Sequence, residues 1–287
     1  MQVRGYLYII AAASLWGILG PFSRLAFSEG LSPLEVAFWR ALLAWGFFGL
    51  HSLFTKSYRI RMQDLPLVFL FAITGITLFY ASYQMAVRQG GAALAAVLLY
   101  TAPAWVVLIA RVAFREALTR RKILALILTL VGVGAVAWGG EGMQISTAAL
   151  LMGLTAGFCY SLYYIFGKYF STRYSSSNLF LYLLPIGAVT LWPWVDFTAK
   201  TSTAWGALFF IASLCTYGAY FCYYLGVKCL EASRAAITAT IEPVVAAVVA
   251  FVWWGEAFGI GGYAGTTLII TAVLLMVWEK PLPKVSE

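Results

Sequence analysis

Little in this sequence is charged: Asp, Glu, Lys and Arg make up 10% of its 287 residues, against 62% that are hydrophobic. Soluble domains carry about 25% charged residues, so a water-soluble fold is excluded. Histidine is reduced to His51, and the four cysteines, Cys159, Cys215, Cys222 and Cys229, have no partners at metal-ligand spacing. A metal centre is not expected, and no cofactor is called for. Cys215, Cys222 and Cys229 repeat every seven residues on one predicted helix, about 10 Å apart and beyond disulfide reach, so they read as small apolar fillers. No nucleophile triad, phosphate-binding glycine loop or paired-carboxylate phosphate site appears, which argues against an enzyme and an ATP-driven pump. The net charge of +8 does not indicate nucleic acid, because the basic residues are scattered between apolar runs rather than gathered on one face.

What is present is apolar length. Ten segments, about 5–27, 33–54, 65–87, 91–112, 122–140, 147–170, 177–197, 204–227, 233–254 and 258–278, each approach the ~20 residues that cross a bilayer. The first has no small-residue cleavage site and reads as a retained helix rather than a signal peptide. Lys and Arg lie mainly in breaks on the side of the N-terminus, around Arg4, Lys56–Arg61, Arg111–Lys122, Lys168–Arg173, Lys228–Arg234 and Lys280–Lys284. The other side holds Arg24, Arg88 and Lys200. Both termini are therefore expected in the cytoplasm, in an inner (plasma) membrane.

The chain also repeats itself. Tyr80–Trp138 lies over Tyr220–Trp278 at a constant offset of 140, with Tyr80 on Tyr220, Tyr83 on Tyr223, Pro103 on Pro243 and Glu116 on Glu256. A fixed offset over so long a window marks a duplication. Five spans per half is an odd number, so the second copy must enter the membrane from the opposite side. The expected fold is all-α and integral to the membrane, with ten transmembrane helices in two inverted five-helix repeats, residues 1–143 and 144–287. Inverted repeats point to alternating access around a shared site; duplication without transport is the plainer alternative. Gly153/Gly157, Gly261/Gly265, Ala92/Ala96 and Ala232/Ala236 are spaced to let helix backbones approach.

These features resemble the drug/metabolite transporter superfamily, in its ten-helix EamA-type family with YddG-like amino-acid and metabolite exporters. The resemblance rests on Leu15-Trp16-Gly17, on Ser32-Pro33 followed by Arg40, on the runs AAVLLYTAPAW and AAITATIEPVV, and on the endings REALTRRKILALILTLVGV and GEAFGIGGYAGTTLIITAV. It covers nearly the whole chain. It implies two five-helix bundles around a central cavity and transport of small metabolites, export being taken from the resemblance. It also implies a structural role for Arg40, since the family tends to keep an arginine there whatever the substrate.

Depth selects the candidate site. Ten residues into the fourth helix stands Thr101, about 15 Å deep, opposite Ile241-Glu242 in the ninth. Each is followed by a proline, Pro103 or Pro243, which disturbs the backbone where a cavity would tolerate it. Tyr100, Thr101, Thr240 and Glu242 are thus expected at its middle. Glu242 either binds a substrate ammonium or carries a proton, or is a structural group, neutral or paired with Arg40. Tyr80, Tyr83 and Gln84 share one helix face, as do Tyr220, Tyr223 and Tyr224. Tyr83 and Tyr223 would gate opposite mouths unless they belong to interfacial belts. Trp16, Tyr160 and Tyr164 complete an aromatic lining able to hold a cation. Glu116 and Glu256 are expected as structural caps of the helices that follow them. The expected function is secondary transport, chiefly export, of small organic solutes such as amino acids; the alternative is proton-coupled export of cationic drugs through Glu242. The partners expected are a small-molecule substrate and the lipid bilayer, with no nucleic acid; oligomeric state is left open, a monomer included.

Overall fold

The computed structural model describes residues 2–137, 146–255 and 259–279, and all regular structure among them is helical. Ten helices run as α1 (Gln2–Ser28), α2 (Pro33–Phe54), α3 (Met62–Gly91), α4 (Leu94–Ala113), α5 (Arg120–Ala137), α6 (Thr147–Ser171), α7 (Ser176–Leu191), α8 (Ser202–Cys229), α9 (Ala232–Trp253) and α10 (Ile260–Trp278). Eight are long and apolar enough to cross a membrane. The other two are α5, which opens on Arg120, Arg121 and Lys122, and α7, which has 16 residues. Among the described residues, five helices precede residues 138–145 and five follow them, an odd number per half, so the repeats are inverted. The expected boundary at 143/144, Trp138 and Glu256 lie outside the described residues.

Local chemistry starts the helices where the sequence breaks. The hydroxyls of Ser32, Ser146, Ser175 and Thr201 accept from Glu35 N, Ala149 N, Asn178 N and Ala204 N, at 3.1 to 3.2 Å, and so satisfy amides that have no partner inside the helix. The tight turn from α3 to α4 runs through Gly91 at φ 82°, a conformation that a side chain resists.

The halves interleave. α1 packs on α8 and α9, α6 packs on α3 and α4, α2 on α7, and α5 on α10. Surface segments follow the same exchange. At the start of α2, the buried Glu35 carboxylate pairs with Lys200 (2.6 Å) and accepts from Thr198, both in the α7–α8 connection. At the start of α7, Asn178 donates to Arg59 O (2.7 Å) and Ser175 bonds Ser57 (2.7 Å), both in the α2–α3 connection.

Two irregularities recur at matching places. The third helix of each half contains a π-helical stretch, Ile73–Leu78 in α3 and Ile211–Gly218 in α8, ending just before Tyr80 and Tyr220. Such wide turns frequently mark functional sites. The fourth helix of each half is interrupted, at Tyr100-Thr101 in α4 and Thr240-Ile241 in α9. Pro103 and Pro243 stand in the first turn of the helix that resumes, where a missing N–H costs nothing. At each interruption a threonine hydroxyl bonds a loosened carbonyl, Thr101 to Leu98 O (2.6 Å) and Thr240 to Ile237 O (2.5 Å).

Glycines let the other half's first helix meet these breaks. A Cβ on Gly157 would lie 2.5 Å from Leu98 O and 2.6 Å from Thr101 Oγ1, and one on Gly17 would lie 2.8 Å from Glu242 O. Gly134 in α5 faces open space. Gly157→Ala should therefore destabilise the protein by about 1–3 kcal/mol, read as a lowered thermal midpoint in detergent, whereas Gly134→Ala should leave the midpoint unchanged or slightly raised. Equal midpoints for the two variants would contradict the close approach.

Candidate functional site

The two breaks bring helix ends to the middle of the molecule. Ala236, Ala239 and Thr240 from α9, Tyr100 and Pro103 from α4, and Tyr160 and Tyr164 from α6 line a central cavity packed too tightly to admit a water molecule. Glu242 opens the second part of α9, at the positive end of a helix dipole, where a negative charge is favoured. Tyr160 donates to its Oε2 at 3.4 Å, and Tyr164 donates to Tyr160 Oη at 3.1 Å. A chain of two phenols thus ends on the carboxylate.

Arg40 projects from α2 between equivalent residues of the two repeats. Its Nη2 donates to Tyr220 Oη (3.1 Å), and its guanidinium carbon lies 5.1 Å from the Tyr80 ring centroid and 6.0 Å from that of Tyr220. Contacts of this kind stabilise a desolvated cation. The pairing of Arg40 with Glu242, one alternative for that carboxylate, is not formed, as no ion pair joins them. Tyr220 and the ring faces hold the guanidinium instead, and its Nε is buried without a hydrogen-bond partner.

Trp16 joins this centre, 6.2 Å from Tyr220 and 5.6 Å from Tyr223. Tyr163 stands at the hub, with ring centroids 5.2 Å from Tyr223, 5.4 Å from Tyr220 and 5.5 Å from Phe71. The sequence reading passed over Tyr163, although it continues the i, i+3, i+4 stripe of Tyr160 and Tyr164. Phe180 and Phe79 were also missed; Phe180 stacks on Tyr220 at 4.7 Å and Phe79 on Tyr160 at 5.2 Å. Thr101 and Thr240 turn their hydroxyls to their own backbones.

The two mouths are packed unequally. On the side of the N-terminus Tyr223 is fully buried, its hydroxyl against Gly167, where a Cβ would come within 2.6 Å. Tyr224 is buried too, as is every residue from Ala232 to Thr240. On the opposite side Tyr83 and Gln84, their repeat equivalents, are half-buried.

A polar clasp closes the N-terminal side. Lys122 pairs with Glu231 (2.7 Å) and lies 3.6 Å from Glu116, while Arg234 pairs with Glu231 (2.9 Å) and Glu279 (3.0 Å). Lys168 donates to Val227 O (2.6 Å) and Leu230 O (2.5 Å), the end of α8. Glu116 accepts from Ala232 N (2.7 Å), Ser233 N (3.2 Å) and the Ser233 hydroxyl. It therefore caps α9 of the other half and not α5, the helix that follows it, because interleaving sets the start of α9 above the α4–α5 connection. The same expectation for Glu256 lies outside the described residues. Among the described residues no group of acidic, histidine and cysteine side chains could hold a metal.

The EamA-like transporter family matches the chain at residues 3–138 and 147–278. Two proteins of Archaeoglobus fulgidus, each described as an uncharacterized transporter, are similar: one is 22% identical, covering 97% of this chain and 100% of its own, the other 27% identical over 96% and 97%. The uncharacterized inner membrane transporter YicL of Salmonella typhimurium is 24% identical over 95% of both chains. A solved crystal structure superposes with a TM-score of 0.83 at 16% identity, covering 96% of each chain, a likeness of fold.

The clasp has a sign under acid. Burial pushes the Glu231 carboxyl up, but Lys122 and Arg234 outweigh it and hold it below the usual range. Its contribution is therefore present above the ordinary glutamate value of about 4.3 and lost as pH falls through the depressed folded value. The thermal midpoint of the wild type should exceed that of Glu231→Gln at neutral pH, and the gap should close below about pH 4. A gap constant down to pH 3 would count against the pairing.

Proposed function

This chain belongs to the EamA-like transporter family, and from that premise we propose that it is a secondary transporter moving small organic solutes, most often amino acids or related amphipathic metabolites, by alternating access. The relatives support a multi-pass membrane transporter. The substrate class, the outward direction of YddG-like exporters, the inner-membrane setting with cytoplasmic termini and the division at 143/144 belong to the proposal.

One observation carries the substrate reading: Glu242 heads a half-helix beside an aromatic cavity, its carboxylate met by a phenol and left unpaired by Arg40. A carboxylate at membrane depth is costly unless a partner is supplied, and a substrate ammonium supplies one. The rings around it accept the apolar remainder of such a solute and attract its cationic end. Trp16, Tyr80, Tyr100, Tyr160, Tyr164 and Tyr220 would form the lining, with Gln84 and Tyr224 at its two approaches. Tyr83 and Tyr223 would act as gates. The tightness on the N-terminal side corresponds to a state whose access lies on the opposite side, and the half-helices would exchange packing to reverse it.

The phenol chain Tyr164–Tyr160–Glu242 favours a second reading, in which Glu242 exchanges a proton for a cationic drug. Counterflow of labelled amino acids in proteoliposomes, with and without a pH gradient, separates the two. If Glu242 binds the ammonium, Glu242→Gln should reduce counterflow about 10- to 100-fold, the worth of a hydrogen bond to a charged group, and a collapsed gradient should leave wild-type counterflow intact. Transport abolished by gradient collapse would favour proton exchange. Unchanged transport of amino acids and cations in Glu242→Gln would remove the site.

A further inference from the structure

Away from the central cavity, the outer wall of the bundle carries an open groove of about 600 Å³ between α2, α7 and α8. Leu43, Phe47 and Leu50 of α2, Leu181 of α7 and Phe209 of α8 line it, and almost all of its surface is apolar. From Leu43 to Leu53 it follows α2 for about 15 Å, from the depth of the membrane to the helix end on the N-terminal side. Two glycines widen it: a Cβ on Gly46 would meet nothing within 4 Å, and one on Gly49 only Leu181 at 3.9 Å. Pro185 cannot donate to Leu181 O, and Trp45 Nε1 supplies that bond at 3.1 Å, so the wall keeps its backbone satisfied while facing lipid.

The groove ends at the α2–α3 connection, where Tyr58 closes it. This connection is held in place through its backbone. Ser52 donates to Ser57 O (2.6 Å), Tyr182 to Tyr58 O (2.7 Å) and Asn178 to Arg59 O (2.7 Å), and Arg61 N donates to Tyr174 Oη (3.2 Å). Lys56 takes a left-handed φ of 51°. The fixed backbone leaves the side chains of Lys56, Arg59 and Arg61 exposed, without an ion pair among the described residues. Asp64, just beyond, is already held by Arg173 (3.3 Å) and Tyr174.

We propose that this groove binds an anionic glycerophospholipid, one acyl chain lying along α2 and the phosphate resting among Lys56, Arg59 and Arg61. A membrane-depth apolar slot that opens onto fixed, unneutralised cations at the interface has the two halves of such a molecule in order: hydrocarbon first, then negative charge. A second copy of this chain seated on the same face would cover the apolar wall but leave three cations to neutralise.

The experiment is native mass spectrometry of the full-length protein in neutral detergent, titrated with dioleoyl-phosphatidylglycerol or with dioleoyl-phosphatidylcholine. Phosphatidylglycerol should bind more tightly. The combined Lys56→Gln, Arg59→Gln and Arg61→Gln variant should weaken that binding about 100-fold, on the scale of three basic residues at a lipid surface, and bring it to the level of phosphatidylcholine. Gly46→Leu with Gly49→Leu fills the slot without touching charge and should weaken both lipids. Glycerol 3-phosphate, which has the phosphate without the chains, should not bind. Equal affinity for the two lipids, a triple variant that binds as the wild type does, or glycerol 3-phosphate binding as well as the lipid would each overturn the proposal. A dimer that the glycine variants dissociate would assign the groove to a second copy instead. Should those variants fail to fold, the charge variant, confined to an exposed connection, still decides.

Discussion

A backbone inside hydrocarbon must satisfy its own polar groups, and the fold depends on where that condition is relaxed. It is relaxed at Tyr100-Thr101 and at Thr240-Ile241, both deep in the bundle. Each relaxation is enclosed by the opposite half, through Gly157 and Gly17, and compensated locally by a threonine hydroxyl. A break on the lipid face would expose its freed groups to hydrocarbon. Within the protein it makes helix ends available at the centre, and their dipoles make the centre polar without a run of charged residues. The scarcity of charge and the presence of a polar site are therefore compatible.

Within that centre the two ionisable groups are kept apart. Arg40 is neutralised diffusely, by a phenol oxygen and two ring faces, while Glu242 meets a phenol and the positive end of its own half-helix. Had they met, they would have formed a buried pair whose disruption is costly. Held apart, each keeps capacity for a solute. Tyr80 and Tyr220, from opposite repeats, both turn ring faces to Arg40, but only Tyr220 also accepts its hydrogen bond, and the asymmetry widens one turn further along each helix. Tyr223 is sealed and Tyr83 is not.

The apolar helices, the inversion and the place of the breaks along the fourth and ninth helices were legible from the sequence because each rests on a long-range regularity: apolar length, a fixed offset, paired prolines. The cavity-lining tyrosines at 100, 160 and 164 were legible for the same reason. Partners across the halves were not. Glu116 gives no sign in its own neighbourhood that the amides it serves belong to Ala232 and Ser233, since that depends on interleaving. Tyr163 was open to discovery, as it shares the stripe of Tyr160 and Tyr164, but its place at the hub required Phe71, Phe180 and Tyr223 to be seen around it. The paired π stretches left no mark in the sequence, because a wide turn is decided by packing and not by residue type. A pairing of Arg40 with Glu242 was one alternative that depth left open, and depth says nothing about which neighbour is closer.

The contact between Glu116 and the start of α9 also bears on how the chain is made. During synthesis, eight helices are made before α9 exists, and until it arrives the Glu116 carboxylate lacks the amides of Ala232 and Ser233 that it holds. The seat that Gly157 offers to the interruption of α4 comes from α6, likewise from the later half. The first half therefore gains partners as α6, α7 and α8 are made, and its packing is completed only when the ninth and tenth helices follow. Duplication gave this protein two copies of one plan; interleaving made neither copy able to finish without the other.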